Sequence, residues 1–572
     1  MAKKFINIFV SVLLVIMLQS VTNQASNIND PYFVGGVVEF RPDFVGLTAA
    51  ELIAKHTAAY IEILESPEAL DTDIVVFPEG TLNNEFQPTY VPAPEGAVIP
   101  CLLANQTNHY ETFLVQLSCS ARANRKYVVI NLNEKENCTD NAAFDPRPCA
   151  TNGLNMYNTN VVFDREGRVI SRYRKFNIYL ERKNTTYQPE FAIFDTDFGV
   201  RFAHFICFDL LFYTPAEELV DKYGIRNIIF TSMFYSETPF LTAIQLQQSW
   251  AWGNNVTLLA AGGSYPMAGA TGSGIYAGSG GSLSTAMIGT IGVRQLLVAK
   301  VPKFGNESSP QVTRTRQFAD VSATPQTGIK LLRDPQLDNF NSVLLPLTPS
   351  TAISVEQCAE DLCCTLTGET TTSKNSYGNG TATGAYRYRF GVFTGQRTYE
   401  KEQYSSVAIC ALYACTNETV SSCGLLFAAN TTIVPEIAFT RLNIAGSFKK
   451  TERLLVMPNT LDLSLYSLQP EQVDWEFADK GNSYAASIDL KASADNLLAF
   501  GIYANYYDSS SAPKYGGSMA MLVTCLWLWT SIYSDVKDIQ PLITMIGLSY
   551  RLRLYDLFHR AKDACLNVEN VI

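Results

Sequence analysis

The chain is 572 residues long, beyond the size that one hydrophobic core usually serves, so two domains with processed ends are expected. Its formal net charge is −11 and no run of lysine and arginine is long enough to track a phosphate backbone, which excludes nucleic acid as an expected partner. Only four histidines occur, none at finger-like spacing from the cysteine pairs, which argues against a zinc reading of the 13 cysteines.

The first residues read as an address: Lys3 and Lys4, an apolar run from Phe5 to Leu18, then small and polar residues through Ser20, Ala25 and Ser26. Residues 1–25 are therefore expected to be a cleaved signal peptide, which exports the mature chain to an oxidising compartment. Asn-x-Ser/Thr sites at Asn105, Asn137, Asn184, Asn255, Asn306, Asn379, Asn417 and Asn430 agree with a secreted or surface glycoprotein. Ten cysteines fall into two even groups, Cys101, Cys119, Cys138 and Cys149, then Cys358, Cys363, Cys364, Cys410, Cys415 and Cys423. Each group can pair within itself without using Cys207, although spacing leaves the connectivity open.

From Tyr32 to about Lys303 short β-branched runs alternate with helical segments, as in "YFVGGVVEF", then Leu47 to Leu64, then "DIVVFPEG", an α/β pattern. Asp164 to Gly167 form a turn between "NTNVVF" and "RVISRYRK", predicting a hairpin. "VRFAHFIC" reads as a strand, and a helix should follow it, with Thr214 as cap, Pro215 first, Glu217 completing a capping box and Gly224 at the stop. The glycine-rich stretch from Gly269 to Gly281 lacks the Gly-Lys-Ser/Thr ending of a phosphate-binding loop and is expected to be a flexible loop.

Past Gly305 the texture turns Ser/Thr-rich and cysteine-punctuated with alternating apolar positions, predicting a mostly β domain over 306–507 after a first domain over 26–305. The tail, 508–572, carries Ser509-Ser510-Ser511, a spacer and the apolar run Met519 to Tyr533, as a GPI signal would, yet Ser534 to Ile572 follow it, with Cys565 among them and Cys525 inside the run. That run is short for a spanning helix, which needs about 20 residues, while Arg551, Arg553, Arg560 and Lys562 beyond it suit the positive-inside bias. A lipid anchor, a spanning segment and a packed tail stay open.

The candidate chemistry begins at Cys207, which is either an inert buried thiol or a nucleophile presented where a strand ends and the chain turns toward a helix, whose N–H groups would favour a thiolate. A nucleophilic thiol needs a base. His204 is nearest in sequence, but three residues along one strand place it on the opposite face. Glu79 emerges directly after an apolar strand in a Pro-Glu-Gly turn and is the better candidate. Lys175 ends the strand "RVISRYRK" and can supply the positive charge that amide cleavage needs at its oxyanion.

Taken together, "VVFPEG" around Glu79, "YNTNVVFD" then "RYRKFN" around Lys175, "CFDLLFYTPA" around Cys207, and "TGSGIY" from Thr271 resemble the nitrilase superfamily of carbon-nitrogen hydrolases, in its vanin and biotinidase branch. "CAEDLCCTL" and "ICALYACTNETVSSCG" are similar to the second-domain cysteine pattern of that branch. The resemblance implies a four-layer α-β-β-α sandwich followed by a smaller, mostly β, disulfide-stapled domain. It also implies a Glu79–Lys175–Cys207 triad. Cys207 would form a thioester, Glu79 would shuttle protons, and Lys175 with the Phe208 N–H would hold the oxyanion. No metal or organic cofactor is required, and the partner is a small amide. Pantetheine is the first expectation, biocytin or biotinamide the second, and a catalytically idle surface glycoprotein the rival from another class. A papain-like protease lacks a suitably placed histidine. Two departures from the family pattern, "FTSMFYSETPF" from Phe230 and Ile206 before the cysteine, fall near the expected pocket and leave the reaction safer than the substrate; Met233 and Phe234 are equally readable as core.

Overall fold

The computed structural model describes residues 25–43, 48–103, 110–139, 145–304, 328–400 and 403–511. The expected signal peptide through residue 24, the anchor-like run, Asn105, Asn306, Cys525 and Cys565 lie outside the described residues. None of the described helices is long and apolar enough to cross a membrane.

The apolar runs of the first half become two six-stranded sheets. One has the order Arg294–Pro302, Tyr32–Phe40, Ile74–Val76, Tyr127–Asn137, Leu154–Phe163, Val169–Arg174. The other runs Ser282–Ala286, Ser273–Ala277, Thr257–Gly262, Asn227–Ser232, Arg201–Ile206, Ile193–Asp195. The two-residue period of a strand decides what each face meets. Ile74 and Val76 join Val129, Phe202, Ile229 and Leu259 in the layer between the sheets. Val75 and Phe77 point the other way, against Tyr60 and Leu64 of helix Ala49–Leu64 and Leu114 and Leu117 of helix Thr112–Asn124. On the outer face of the second sheet, Phe205, Phe230 and Leu258 pack with Leu246 and Trp250 of helix Ala243–Asn254. The layering is α-β-β-α. The helix from Ala49 starts where it does because Thr48 and Glu51 form a reciprocal cap, the Glu51 N–H donating to Thr48 Oγ1 and the Thr48 N–H to Glu51 Oε2.

The second half is a β domain of two five-stranded sheets. One has the order Asn341–Leu344, Arg387–Glu400, Gln403–Cys415, Leu497–Ser511, Leu454–Asp462, and the other Ala352–Ala359, Leu362–Thr372, Ile437–Lys449, Ser483–Leu490, Val473–Asp479. The cluster containing Leu246 and Trp250 continues into Tyr413, Met457 and Phe500 of these sheets, so the outer face of the second sheet and the β domain share one apolar core. Buried amides reinforce it: Gln245 Nε2 donates to Asn459 Oδ1 at 2.8 Å and Gln248 Nε2 to the Leu468 carbonyl at 2.7 Å.

Disulfides join Cys101–Cys119, Cys138–Cys149, Cys358–Cys363, Cys364–Cys410 and Cys415–Cys423, each within its own cysteine group, and Cys207 is free. Of the six sequon asparagines in the described residues, Asn184, Asn255, Asn379, Asn417 and Asn430 are exposed and Asn137 is half-buried.

Two local expectations are corrected. The chain after Cys207 does not enter an α-helix at Thr214. It forms tight turns over Cys207–Leu211 and Tyr213–Glu217, with Thr214 extended (φ −100°, ψ 124°), and only Glu218–Asp221 is α-helical. Asn177 Nδ2 holds the Thr214 carbonyl at 2.8 Å, and the Thr214 hydroxyl reaches Glu218 Oε2 at 2.6 Å instead of serving a box with Glu217, which accepts from Asn254 Nδ2. The glycine-rich stretch is not a loop either. Ser273–Ala277 is an interior strand paired on both sides, and Gly272 permits close packing, since a Cβ there would lie 2.7 Å from the Ala243 methyl.

Candidate active site

Four strands deliver the site. Glu79 lies three residues past Ile74–Val76, Lys175 one residue past Val169–Arg174, Cys207 one past Arg201–Ile206, and Met233 one past Asn227–Ser232. In α/β sheets the carboxyl ends of parallel strands are where the chain leaves the sheet and side chains converge, and the strands ending at Ile206 and Ser232 are parallel neighbours. The structure brings the three residues singled out from the sequence into one buried cluster, with Glu79 5%, Lys175 2% and Cys207 8% exposed.

The Glu79 carboxylate is held at both oxygens. Oε1 accepts from Lys175 Nζ at 2.8 Å and Asn158 Nδ2 at 2.7 Å, and Oε2 accepts from the Met233 N–H at 2.9 Å. A second carboxylate, Glu181, accepts from Lys175 Nζ at 2.5 Å and from Asn158 Nδ2 at 2.7 Å. Asn158 Oδ1 in turn accepts from Asn131 Nδ2 at 2.7 Å, and Asn131 Oδ1 accepts from the Gly80 N–H at 2.9 Å, so the turn carrying Glu79 and the strand beneath it are tied together. Burial works against the Lys175 ammonium, yet the charges of Glu181 and Glu79 outweigh it and hold its pKa well above the ordinary lysine value.

Cys207 lies against the Glu79 carboxylate and within the field of Lys175. Burial first, then the Glu79 charge, push its thiol well above the usual range, and Lys175 pulls the other way without reversing them. The resting group is therefore the neutral thiol, and what begins at Cys207 is a five-residue 3-10 turn, not an α-helix. Its backbone is left-handed (φ 47°), and Asp209 braces the turn by accepting from the Ile206 N–H at 3.1 Å, Tyr173 Oη at 2.7 Å and both nitrogens of Asn177 at 2.8 Å. A proton acceptor beside a neutral thiol, an ammonium and a turn whose first N–H groups have no partner within the turn is an arrangement suited to acyl transfer.

His204 is fully buried away from this cluster. Its Nε2 is 2.7 Å from Ser171 Oγ, and burial pushes its pKa down to about 3. Of the two departures, Ile206 is buried in the apolar cluster, as Phe234 partly is, while Met233 contributes its N–H to Glu79. Tyr235, next along, is 43% exposed, and its phenol is raised by partial burial and by its nearness to Cys207 and Glu79, which puts it at the rim of the site. Sequence reasoning missed Glu181, Asn158 and Asp209. Only Asp209, two residues past the candidate nucleophile inside a tight turn, left a local signal.

Residues 38–291 match the family model described as carbon-nitrogen hydrolase, and residues 329–510 match the vanin C-terminal domain. Vanin-like protein 3 of Drosophila melanogaster is 41% identical over 515 residues, covering 88% of this chain and 94% of its own. A biotinidase of Takifugu rubripes is 32% identical over 425 residues (70% and 79% covered), and a pantetheinase of Sus scrofa 30% identical over 437 residues (76% and 77%).

Proposed function

Because the chain belongs to the carbon-nitrogen hydrolase family, in its vanin branch, we propose that it hydrolyses a linear carboxamide through a thioester on Cys207, with pantetheine as the substrate, releasing pantothenate and cysteamine. The observation that carries the reading is the free, buried Cys207 set against a Glu79 carboxylate that Lys175, Asn158 and the Met233 N–H hold in place.

Glu79 takes the thiol proton as sulfur attacks the carbonyl, and Lys175 with the Phe208 N–H stabilises the tetrahedral oxyanion. Collapse expels the amine, which receives the proton from Glu79, and leaves the acyl group on sulfur. Water then attacks the thioester, Glu79 removes its proton, and the thiol is restored as the carboxylic acid leaves. The comparable likeness to a biotinidase supports biocytin as the second substrate to try. Export to an oxidising compartment is part of the proposal, supported by five disulfides and exposed sequons.

The test is amine release by the purified protein offered pantetheine and biocytin in parallel, with Cys207→Ala as control. Cysteamine release that the substitution abolishes is the expected result. Lysine release in its place moves the substrate to biocytin, and silence on every small amide tried overturns the catalytic reading in favour of a glycoprotein that uses the fold for binding.

A further inference from the structure

Cys207 keeps a left-handed backbone, a conformation that an L-residue other than glycine holds only where its surroundings over-determine it. Asp209 supplies the restraint from within the turn. Tyr173, Asn177 and Tyr179 of the first half hold it from one side, and further restraints come from the C-terminal sheets, far along the chain. Ser405 Oγ at 3.3 Å and Asn505 Nδ2 at 3.0 Å both donate to the carbonyl of Leu211, the last residue of the nucleophile turn. Gln403 Nε2 donates to the Ile178 carbonyl at 2.7 Å, in the segment between Lys175 and Glu181. The Tyr399 ring meets Phe208 edge-on with centroids 5.2 Å apart and lies 6.4 Å from Phe212, while Tyr179 packs on Phe208 at 4.8 Å. Tyr399 Oη donates to Ser405 Oγ at 3.2 Å, which joins the ring contact to the carbonyl contact.

Gln403, Ser405 and Asn505 are buried, and each spends a polar group on a backbone carbonyl of the first half. Burying such donors stabilises little by itself, because folding only exchanges their hydrogen bonds with water for bonds with protein. What they achieve is geometric: two catalytic segments are fixed from outside their own sheets.

We propose that the C-terminal β domain is a working part of the active site, with Tyr399, Gln403, Ser405 and Asn505 as positioning residues that hold the Cys207 turn and the segment between Lys175 and Glu181. This rests on the amide-hydrolysis reading above. Released from these contacts, the turn relaxes toward a negative φ. The Phe208 N–H then swings off the oxyanion position, and the thiol leaves its dry setting beside Glu79.

The test uses the full-length protein with Tyr399→Leu and Gln403→Leu, and Tyr399→Phe as the conservative control. Two readouts are taken: kcat and KM on whichever amide the wild type hydrolyses, and the pH dependence of Cys207 alkylation by iodoacetamide, which needs no substrate. Both leucine variants are expected to lose about 100-fold in kcat with KM nearly unchanged. Their alkylation midpoint moves down toward the ordinary thiol value of about 8.5. Tyr399→Phe keeps the ring and stays close to wild type. Urea midpoints confirm that the variants compared are folded. Wild-type kcat and an unmoved alkylation profile in both folded leucine variants overturn the proposal. If Tyr399→Leu fails to fold, Gln403→Leu, which removes one hydrogen bond and no ring, decides alone. A wild type that hydrolyses no amide counts against the functional reading instead, and the alkylation profiles still decide the positioning.

Discussion

At the scale of residues, the site combines a thiol that resists ionisation with a carboxylate placed to take its proton. Burial is the largest cause of the raised Cys207 pKa and the Glu79 charge the next, so the two residues cannot both be charged at little cost. In the proposed reaction, proton transfer during attack would avoid that state, because the charge would pass from carboxylate to developing oxyanion. Glu79→Gln is therefore expected to lower kcat by about 10² to 10⁴-fold. The same change removes one cause of the raised pKa, so the thiol should alkylate faster near neutral pH although turnover is lost. Iodoacetamide kinetics alongside amine release read both effects, and full turnover in the variant would remove Glu79 from its assigned role. Glu79 and Lys175 were legible because Glu79 follows a short apolar strand and Lys175 ends a hairpin strand, each within a recognisable motif. Glu181 was not, since its pairing with Lys175 arises from a loop that folds back, and nothing in "IYLERK" distinguishes it from a solvated acid.

Elements are locked together by a different carboxylate. Glu39, in strand Tyr32–Phe40 of the first sheet, is fully buried and accepts from Thr271 Oγ1 at 2.6 Å, Ser273 Oγ at 2.5 Å and the Gly272 N–H, all at the start of a second-sheet strand. Burial outweighs these donors and raises its pKa from 4.5 to about 7. The folded state therefore holds this proton more tightly than the unfolded chain, so Glu39 makes stability fall as pH rises between about 4.5 and 7. The contribution is on the order of 1–3 kcal/mol. Urea unfolding across that window should show it, and Glu39→Gln should flatten the slope; a variant whose slope equals that of wild type would refute the assignment. The "TGSGIY" segment was readable as a motif, but its becoming an interior strand was not. Its glycines signalled flexibility locally, and pairing on both sides overrode that signal.

On the scale of the whole molecule, the two halves behave as one body because polar pairs as well as apolar surface cross between them. Arg397, 3% exposed on the C-terminal strand Arg387–Glu400, pairs with Glu237 and with Asp334. Glu237 lies four residues past Met233, on the segment that also presents Tyr235 at the rim. Arg397→Met is expected to destabilise the protein by about 3–5 kcal/mol, because it strands the buried Asp334 carboxylate and the half-buried one of Glu237. Adding Glu237→Gln and Asp334→Asn should recover part of that loss. Denaturant midpoints of the single and triple variants measure it, and a single variant as stable as wild type would show that the pair contributes nothing.

The sequence by itself determined the α/β class of the first half, the β class of the second, the grouping of the disulfides and the candidate catalytic residues, since alternation, cysteine counts and motif spacing are properties of neighbours along the chain. Tertiary structure alone decided the second carboxylate on Lys175, the turn in place of a helix after Cys207, the disulfide partners and the contacts from Tyr399 and Gln403. The contacts from Tyr399 and Gln403 bring together groups far apart in sequence, and even near neighbours such as Lys175 and Glu181 meet only because the loop between them is folded back on the sheet ends; both follow from how the sheets stack, which no local pattern encodes.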